Sequence, residues 1–136
     1  MTTRIISDPA RVWAYVRQQL PVPVVGGMKG LGLERDGELI AGVLYEGFNG
    51  VNCWMHVATT PGKKWTLEYL RYCFYYPFVE VGLQRVSGAV EASNLAARRF
   101  DEHLGFKQEA VLHGAASDGG DVILYVMRRE DCRYVA

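Results

Sequence analysis

The sequence lacks the features of a membrane, secreted or nucleic-acid-binding protein. No apolar run approaches the roughly 20 residues of a membrane-spanning helix. Met1–Asp8 has no long apolar region after a basic start, so we expect no signal peptide. Lys and Arg number 15, and Asp and Glu also number 15, which leaves no net charge. We therefore expect neither a membrane nor a nucleic acid as a partner.

Cysteine is scarce as well. The 3 cysteines are Cys53, Cys73 and Cys132, and they form no CxxC pair and no metal-ligand spacing with the 3 histidines. Cys53 lies in an apolar run and Cys73 in an aromatic helical pattern, so buried free thiols are expected rather than reactive ones. Free thiols are typical of a reducing compartment, which predicts a cytoplasmic protein without a metal site.

What is present is an ordinary globular composition. The 136 residues suit one domain with a single core, which we assign to residues 1–136. Hydrophobic residues make up 49% and charged residues 22%, as in a typical globular domain. There is no internal repeat and no low-complexity segment, so a single folding unit is expected.

Periodicity and turn signals divide the chain into ten elements. Asp8-Pro9 is a helix start, and Asp36-Gly37 and Asn49-Gly50 are turn signals. Both faces of the stretch 38–46 are largely apolar, which predicts a central strand. The predicted strands are Thr3–Ile6, Lys29–Arg35, Glu38–Glu46, Val51–Ala58, Arg85–Glu91, Lys107–Gly114 and Asp121–Arg128, and the predicted helices are 9–20, Lys64–Phe78 and Asn94–His103. The order predicts a mixed α/β fold whose central, mostly antiparallel sheet has helices on both faces.

The most specific pattern is in Asn94–Phe106. Asn94 is followed by Ala97 three residues later and by Leu104-Gly105-Phe106 ten to twelve residues later. This spacing resembles the fourth helix and the following turn of the Gcn5-related N-acetyltransferase (GNAT) superfamily, and Gly82–Val86 resembles the start of its fifth strand. The element order also matches, except that one helix replaces the usual two between the first strands. The whole chain is similar to short GNAT proteins encoded in phage and prophage genomes.

The resemblance implies an enzyme that transfers an acetyl group from acetyl-CoA to an amine by direct attack in a ternary complex. In the family the fourth and fifth strands splay apart, and the pantetheine arm lies in that gap. The pyrophosphate meets the amides at the start of the next helix. The cofactor-binding residues that the resemblance implies are Met55, Val57, Ala58, Thr60, Gly62, Lys63, Lys64, Trp65, Asn94, Ala97 and Phe100.

The loop before the second predicted helix departs from the family pattern, Gln/Arg-x-x-Gly-x-Gly/Ala. It offers one clear glycine, Gly62, with Lys63, Lys64 and Trp65 in the tight stretch. The two lysines supply charge where access to the amides is reduced, or they form a solvated first turn.

Asp101 is the second departure, because it stands where the family often has a Tyr that protonates the leaving thiolate. An ionised carboxylate cannot donate that proton, so Asp101 would need a raised pKa or another role. The favoured interpretation is a solvated helix residue, with another group or water as the acid.

Candidate bases lie on the predicted third and fourth strands. Alternation puts Asn52, Trp54 and His56 on one face, which we expect to meet the acceptor amine. Histidine as a residue type is a proton acceptor at neutral pH, so His56 is a catalytic candidate, with a structural histidine as the alternative. Glu46 is the second candidate, with a solvated strand-end charge as the alternative. The aromatic cluster in 72–78 is interpreted as packing, although one tyrosine hydroxyl could act as the acid.

Three functions remain open from the sequence. The first is an N-acetyltransferase acting on a small amine, a peptide N-terminus or a lysine. The second is a binding module that keeps the fold without catalysis, as the altered loop and Asp101 would allow. The third, a nucleic-acid-modifying enzyme, is disfavoured by the neutral charge. The short chain is compatible with a homodimer.

Overall fold

The computed structural model describes residues 2–135, which form a seven-stranded sheet with helices on both faces. The strands are β1 (Thr3–Ile6), β2 (Lys29–Arg35), β3 (Glu38–Glu46), β4 (Asn52–Thr59), β5 (Arg85–Glu91), β6 (Lys107–Leu112) and β7 (Val122–Arg128). The helices are α1 (Pro9–Val16), α2 (Leu67–Tyr75) and α3 (Leu95–Leu104). The spatial order is β1-β2-β3-β4-β5-β7-β6, and only β4 and β5 pair in parallel. The predicted mixed α/β architecture is confirmed.

The two faces of the sheet bury different layers. Along β3, Val43 and Tyr45 point into the larger core under α2 and α3, whereas Leu44 packs under α1. Residues 40–45 are all buried, which confirms the predicted central strand. The turn between β2 and β3 has φ values of 50° at Asp36 and 86° at Gly37, the left-handed geometry that a two-residue hairpin requires.

Helix α1 is shorter than predicted. It ends at Val16 rather than at residue 20, and residues 17–20 form tight turns, with Gln19 and Leu20 both donating their N–H groups to the Val16 carbonyl. Pro21 disfavours helical backbone in the residue before it. The indole of Trp13 also donates to the Val22 carbonyl at 2.9 Å, which draws the following segment back across the helix.

The predicted helix Lys64–Phe78 is also corrected at both ends. It begins at Leu67 because the Thr66 hydroxyl caps it, accepting from the Tyr69 N–H. After Tyr75 the backbone widens into a π-helical turn, Tyr76–Glu80. Pro77 has no N–H to donate to the carbonyl of Cys73, and the buried hydroxyl of Tyr45 donates to that carbonyl instead, at 2.7 Å.

The remaining boundaries shift by a residue or two. Strand β4 runs from Asn52 to Thr59, and β6 ends at Leu112, before Gly114 turns the chain at a φ of 72°. Helix α3 begins after Asn94, whose side chain caps it, and ends at Gly105 with a φ of 116°. The predicted left-handed cap is thus confirmed.

The cysteines are free thiols and are buried, as predicted. Burial raises the pKa of both Cys53 and Cys73 to about 12, so both thiols stay protonated at neutral pH. Within residues 2–135 no helix is long and apolar enough to cross a membrane.

Candidate active site

The sheet opens between its two parallel strands. Strands β4 and β5 pair only over Asn52–Trp54 and Arg85–Ser87, and they diverge beyond that point. Thr60 donates its N–H to the Ile40 carbonyl, which sets the register of β4 against β3. In an antiparallel ladder alternate residues turn their backbone groups to opposite sides, so Val57 and Thr59 face the gap. The gap therefore exposes a strand edge in the middle of the sheet.

Gln19 reaches into this gap from the segment after α1. Its side-chain amide donates to the Thr59 carbonyl at 3.0 Å. The contact replaces a strand partner that β5 does not provide, and it shows that this edge of β4 accepts an amide donor. Sequence reasoning missed Gln19, because residue 19 was assigned to a regular helix.

Two hollows flank the gap, one on each face of the sheet. The first, of about 230 Å³, lies on the α1 face and is lined by His56 among others. The second, of about 220 Å³, lies towards α3 and includes Val57 and Asp101. Gln19, Leu20 and Asn94 line both hollows, so the two meet at the opening between the strands.

The two predicted base candidates are in contact. His56 on β4 and Glu46 at the end of β3 lie on the α1 face, with His56 Nε2 2.9 Å from Glu46 Oε2. Each side chain is 21% exposed. When the carboxyl group of Glu46 is ionised and the imidazole is neutral, Nε2 donates to Glu46 and the lone pair of Nδ1 is left for another donor. This is the arrangement of a base oriented by a carboxylate.

Asp101 differs from its predicted solvated state. It is half-buried on α3 and lines the second hollow beside Val57 and Thr59. Burial, with a smaller contribution from the charge of Glu102, raises the pKa of Asp101 to about 7. A carboxyl group with that pKa is protonated often enough at neutral pH to donate a proton.

The loop 60–66 joins β4 to α2. Gly62 has a φ of 78°, and a Cβ at that position would meet nothing within 4 Å. Lys63 and Lys64 are exposed. Arg35, which sequence reasoning also missed, donates from Nη2 to the Lys64 carbonyl at 3.1 Å, and its buried Nε has no hydrogen-bond partner within residues 2–135. The loop therefore contains two cations, and a third contacts it.

Three of the predicted cofactor residues make contacts within the protein. The indole of Trp65 packs edge-on against Tyr69 and Phe100 and donates to the Thr59 hydroxyl at 3.0 Å. The side chain of Ala58 is buried under α1, and the hydroxyl of Thr60 bonds Tyr15 at 2.7 Å.

Other predicted cofactor residues fall at the gap itself or beside it. Met55 is buried in the core at the point where the β4–β5 ladder ends. Ala97 and Phe100 line the second hollow. Asn94 lines both hollows, and its side chain caps α3 by accepting from the Ala97 N–H at 3.2 Å.

Comparison with solved structures identifies the architecture. The spermidine/spermine N-acetyltransferase SpeG from Vibrio cholerae, in complex with manganese ions, superposes with a TM-score of 0.73 over 93% of this chain and 92% of its own, at 13% sequence identity. This chain has the GNAT fold. A dodecameric structure of spermidine N-acetyltransferase from the same organism gives a TM-score of 0.74 at 14% identity, covering 94% of each chain. A protein named "Probable acetyltransferase" gives 0.66 at 18% identity, covering 90% of this chain and 67% of its own.

The sequence itself has no such match. No protein-family model and no curated protein sequence matches the chain. Among residues 2–135 no group of three or more His, Cys, Asp or Glu is arranged to hold a metal ion. The GNAT-fold assignment therefore rests on three-dimensional shape, and the chemistry has to be argued from the side chains at the gap.

Proposed function

We propose that this protein is an N-acetyltransferase that moves the acetyl group of acetyl-CoA to a primary amine by direct attack. The observation that carries the proposal is the opening between β4 and β5, which has a carboxylate-oriented histidine on one face and a half-buried carboxyl group on the other. Such an opening lets two reactants meet from opposite faces of the sheet, which is the proximity that acyl transfer requires.

The residues around the gap fit an acyl-CoA. The N–H groups of Val57 and Thr59 face the gap, where amide and thioester carbonyls need donors. Lys63, Lys64 and the Arg35 guanidinium supply positive charge for phosphates beside the start of α2. Bound there, acetyl-CoA supplies an activated thioester.

His56 is the proposed base. The amine enters as an ammonium ion, and Nδ1 of His56 takes one proton so that the nitrogen lone pair is free to attack. Glu46 holds the ring and stabilises the positive charge that the ring then gains. The new C–N bond forms at the acyl carbon as the C–S bond breaks, and the nitrogen becomes an amide nitrogen by releasing its second proton to solvent, as His56 later releases the first.

Asp101 is the proposed acid. The leaving sulfur departs with the bonding electron pair and needs a proton, and the carboxyl group of Asp101 carries one for part of the time at pH 7. The resulting carboxylate is reprotonated from solvent. The overall change converts one ammonium and one thioester into an amide, a thiol and a released proton.

Two measurements test this function. Acetyl-CoA should raise the melting temperature, because a ligand that binds only the folded state stabilises it. Thiol release across an amine panel should then depend on His56. We expect His56→Ala to slow turnover by roughly 100-fold or more while the acetyl-CoA shift persists. The matched control is His113→Ala, because the His113 side chain is 84% exposed and lies outside both hollows.

The outcomes separate the roles. No melting shift at millimolar acetyl-CoA would refute the proposal as a whole. A shift together with unchanged turnover in His56→Ala would retire the base assignment alone.

A binding module without catalysis is the second candidate. Gln19 already occupies part of the gap, and the loop offers a single glycine where backbone amides would approach phosphates. This candidate predicts a melting shift with acetyl-CoA but no thiol release with any amine in the panel.

A further inference from the structure

Gln19 occupies the strand edge that the opening in the sheet exposes. The carbonyl of Thr59 faces the gap, because the N–H of the next residue, Thr60, points the other way, to the Ile40 carbonyl. Strand β5 has diverged from β4 at this level and does not pair with Thr59. The side-chain amide of Gln19 donates to the Thr59 carbonyl instead, at 3.0 Å. A side chain therefore lies where an extended ligand would add to the strand.

The backbone that carries Gln19 is anchored on both sides. Before it, the hydroxyls of Tyr15 and Thr60 are 2.7 Å apart, which ties the end of α1 to the loop after β4. After it, the Trp13 indole donates to the Val22 carbonyl at 2.9 Å. Gln19 itself is exposed, and its hydrogen bond is weak in net terms because water can replace either partner. The side chain can therefore leave the gap by rotation while the backbone stays in place.

The same side chain lies between the two hollows. Gln19 lines the hollow that contains His56 and also the hollow that contains Asp101. These are the proposed base and the proposed acid, so the reacting groups have to meet between them. A ligand that lies along β4 and reaches this meeting point must pass Gln19.

We propose that Gln19 is a gate residue for acetyl-CoA. In the free protein its amide occupies the Thr59 carbonyl, and an amide N–H of the pantetheine arm displaces it when the cofactor enters the gap. The proposal rests on the proposed acetyl transfer, which places acetyl-CoA in this gap, and it adds a competing contact to the same site. Pantetheine has secondary amides, so it offers the same kind of donor that Gln19 offers. Displacement of Gln19 also widens the passage between the two hollows.

The experiment measures the Kd of acetyl-CoA by titration calorimetry for the parent protein and for two variants. Gln19→Met keeps the length of the side chain without an amide, and Gln19→Ala removes most of the side chain, which separates the loss of the amide from any new contact made by Met. We expect Kd to fall by about threefold to tenfold in both, because one exposed hydrogen bond no longer competes with the cofactor. The matched control is Gln18→Met, at the next residue, which is exposed and lines neither hollow.

A second ligand locates the effect. Adenosine 3′,5′-bisphosphate has phosphates but no pantetheine arm, so its Kd should be the same in the parent and in every variant. An equal fall in its Kd in the Gln19 variants would place the effect outside the gap and overturn the gate. An unchanged or higher Kd for acetyl-CoA in either Gln19 variant would also overturn it, because the amide would then not compete with the cofactor.

The side-chain amide of Gln19 gives a direct readout. Its resonances in a nitrogen–proton correlation spectrum are those that disappear in Gln19→Met. Saturation with acetyl-CoA should move them to the position of a solvated glutamine amide, whereas adenosine 3′,5′-bisphosphate should leave them in place. Unmoved resonances at saturating acetyl-CoA would mean that Gln19 keeps its contact with Thr59, and the gate assignment would be wrong.

The same titrations distinguish failure of the gate from failure of the transfer. If acetyl-CoA binds the parent and the Gln19 variants with equal Kd, the proposed transfer stands and the gate alone is wrong. If neither the parent nor the Gln19 variants bind acetyl-CoA at millimolar concentration, the transfer is refuted and the gate with it.

Discussion

Replacing Tyr45 with Phe should reveal how the fold accommodates a proline inside an apparent helix. Tyr45 is fully buried, and its hydroxyl is 2.7 Å from the Cys73 carbonyl. Burial raises the pKa of this phenol well above its ordinary value, so it remains a neutral donor. In a regular helix the N–H of residue 77 would bond that carbonyl, but Pro77 has none. Tyr45→Phe keeps the ring and removes the hydroxyl that donates to this buried carbonyl.

The expected cost is about 1–3 kcal/mol, the penalty for a buried polar group that loses a hydrogen-bond partner. For a chain of this length that corresponds to a fall of very roughly 3–10 °C in melting temperature. Urea unfolding measures it, with an unchanged m-value as the sign that both variants unfold in the same way. The control is Tyr75→Phe, because Tyr75 is 45% exposed, and such a change should stay within about 0.5 kcal/mol.

A double-mutant cycle makes the test specific. Pro77→Ala restores an N–H that can donate to the Cys73 carbonyl if the segment relaxes from its π-helical turn. Tyr45→Phe should therefore cost less in the Pro77→Ala background than alone, by roughly 1 kcal/mol. If Tyr45→Phe costs less than 0.5 kcal/mol, or if the two changes are additive, the hydroxyl does not replace the missing helix bond.

Two further predictions concern Asp101 and Gly42. The folded protein keeps the proton of Asp101 up to about pH 7, whereas the unfolded chain releases it near pH 4. The free energy of unfolding should therefore fall as pH rises between these values, by on the order of a few kcal/mol. Asp101→Asn should remove this fall, which urea unfolding at pH 5 and pH 8 measures. The assignment is wrong if the difference in free energy of unfolding between the variant and the parent is the same at both pH values. Gly42→Ala should destabilise by about 1–3 kcal/mol, because a Cβ there would lie 3.0 Å from the Tyr15 ring and 3.1 Å from Val16. The control is Gly26→Ala, because a Cβ there meets nothing within 4 Å, whereas Gly37→Ala would add strain at a φ of 86°. Equal losses of stability in Gly42→Ala and Gly26→Ala would refute the packing argument.

The elements were largely predictable because their signals are local. Asp8-Pro9, Asp36-Gly37 and Leu104-Gly105 encode a cap, a hairpin turn and a left-handed helix end through the conformations that these residues allow. The alternation along 38–46 identified the central strand because both of its faces are apolar. The predicted lengths of helices α1 and α2 were wrong. Pro21 shortens α1 at its C-terminal end, and the cap at Thr66 delays the start of α2, although the apolar periodicity continues past both of these ends.

The candidate site was only partly predictable. His56 and Glu46 could each be proposed from residue type and strand position, but their contact depends on the pairing register of β3 and β4. Gln19 and Arg35 carried no motif, since a glutamine after a helix and an arginine before a turn are common on any surface. Their roles come from partners 40 and 29 residues away in the chain.

Asn94–Phe106 shows the division most clearly. By itself this segment determined a helix, its two caps and the resemblance to the GNAT superfamily, because spacing and capping are properties of neighbouring residues. Only the tertiary structure decided that Asp101 within it is half-buried beside Val57 and holds a proton near neutrality. Burial depends on which face of the helix meets the sheet, and that is set by elements distant in the chain, so a carboxylate that looks solvated in sequence becomes a candidate acid in the fold.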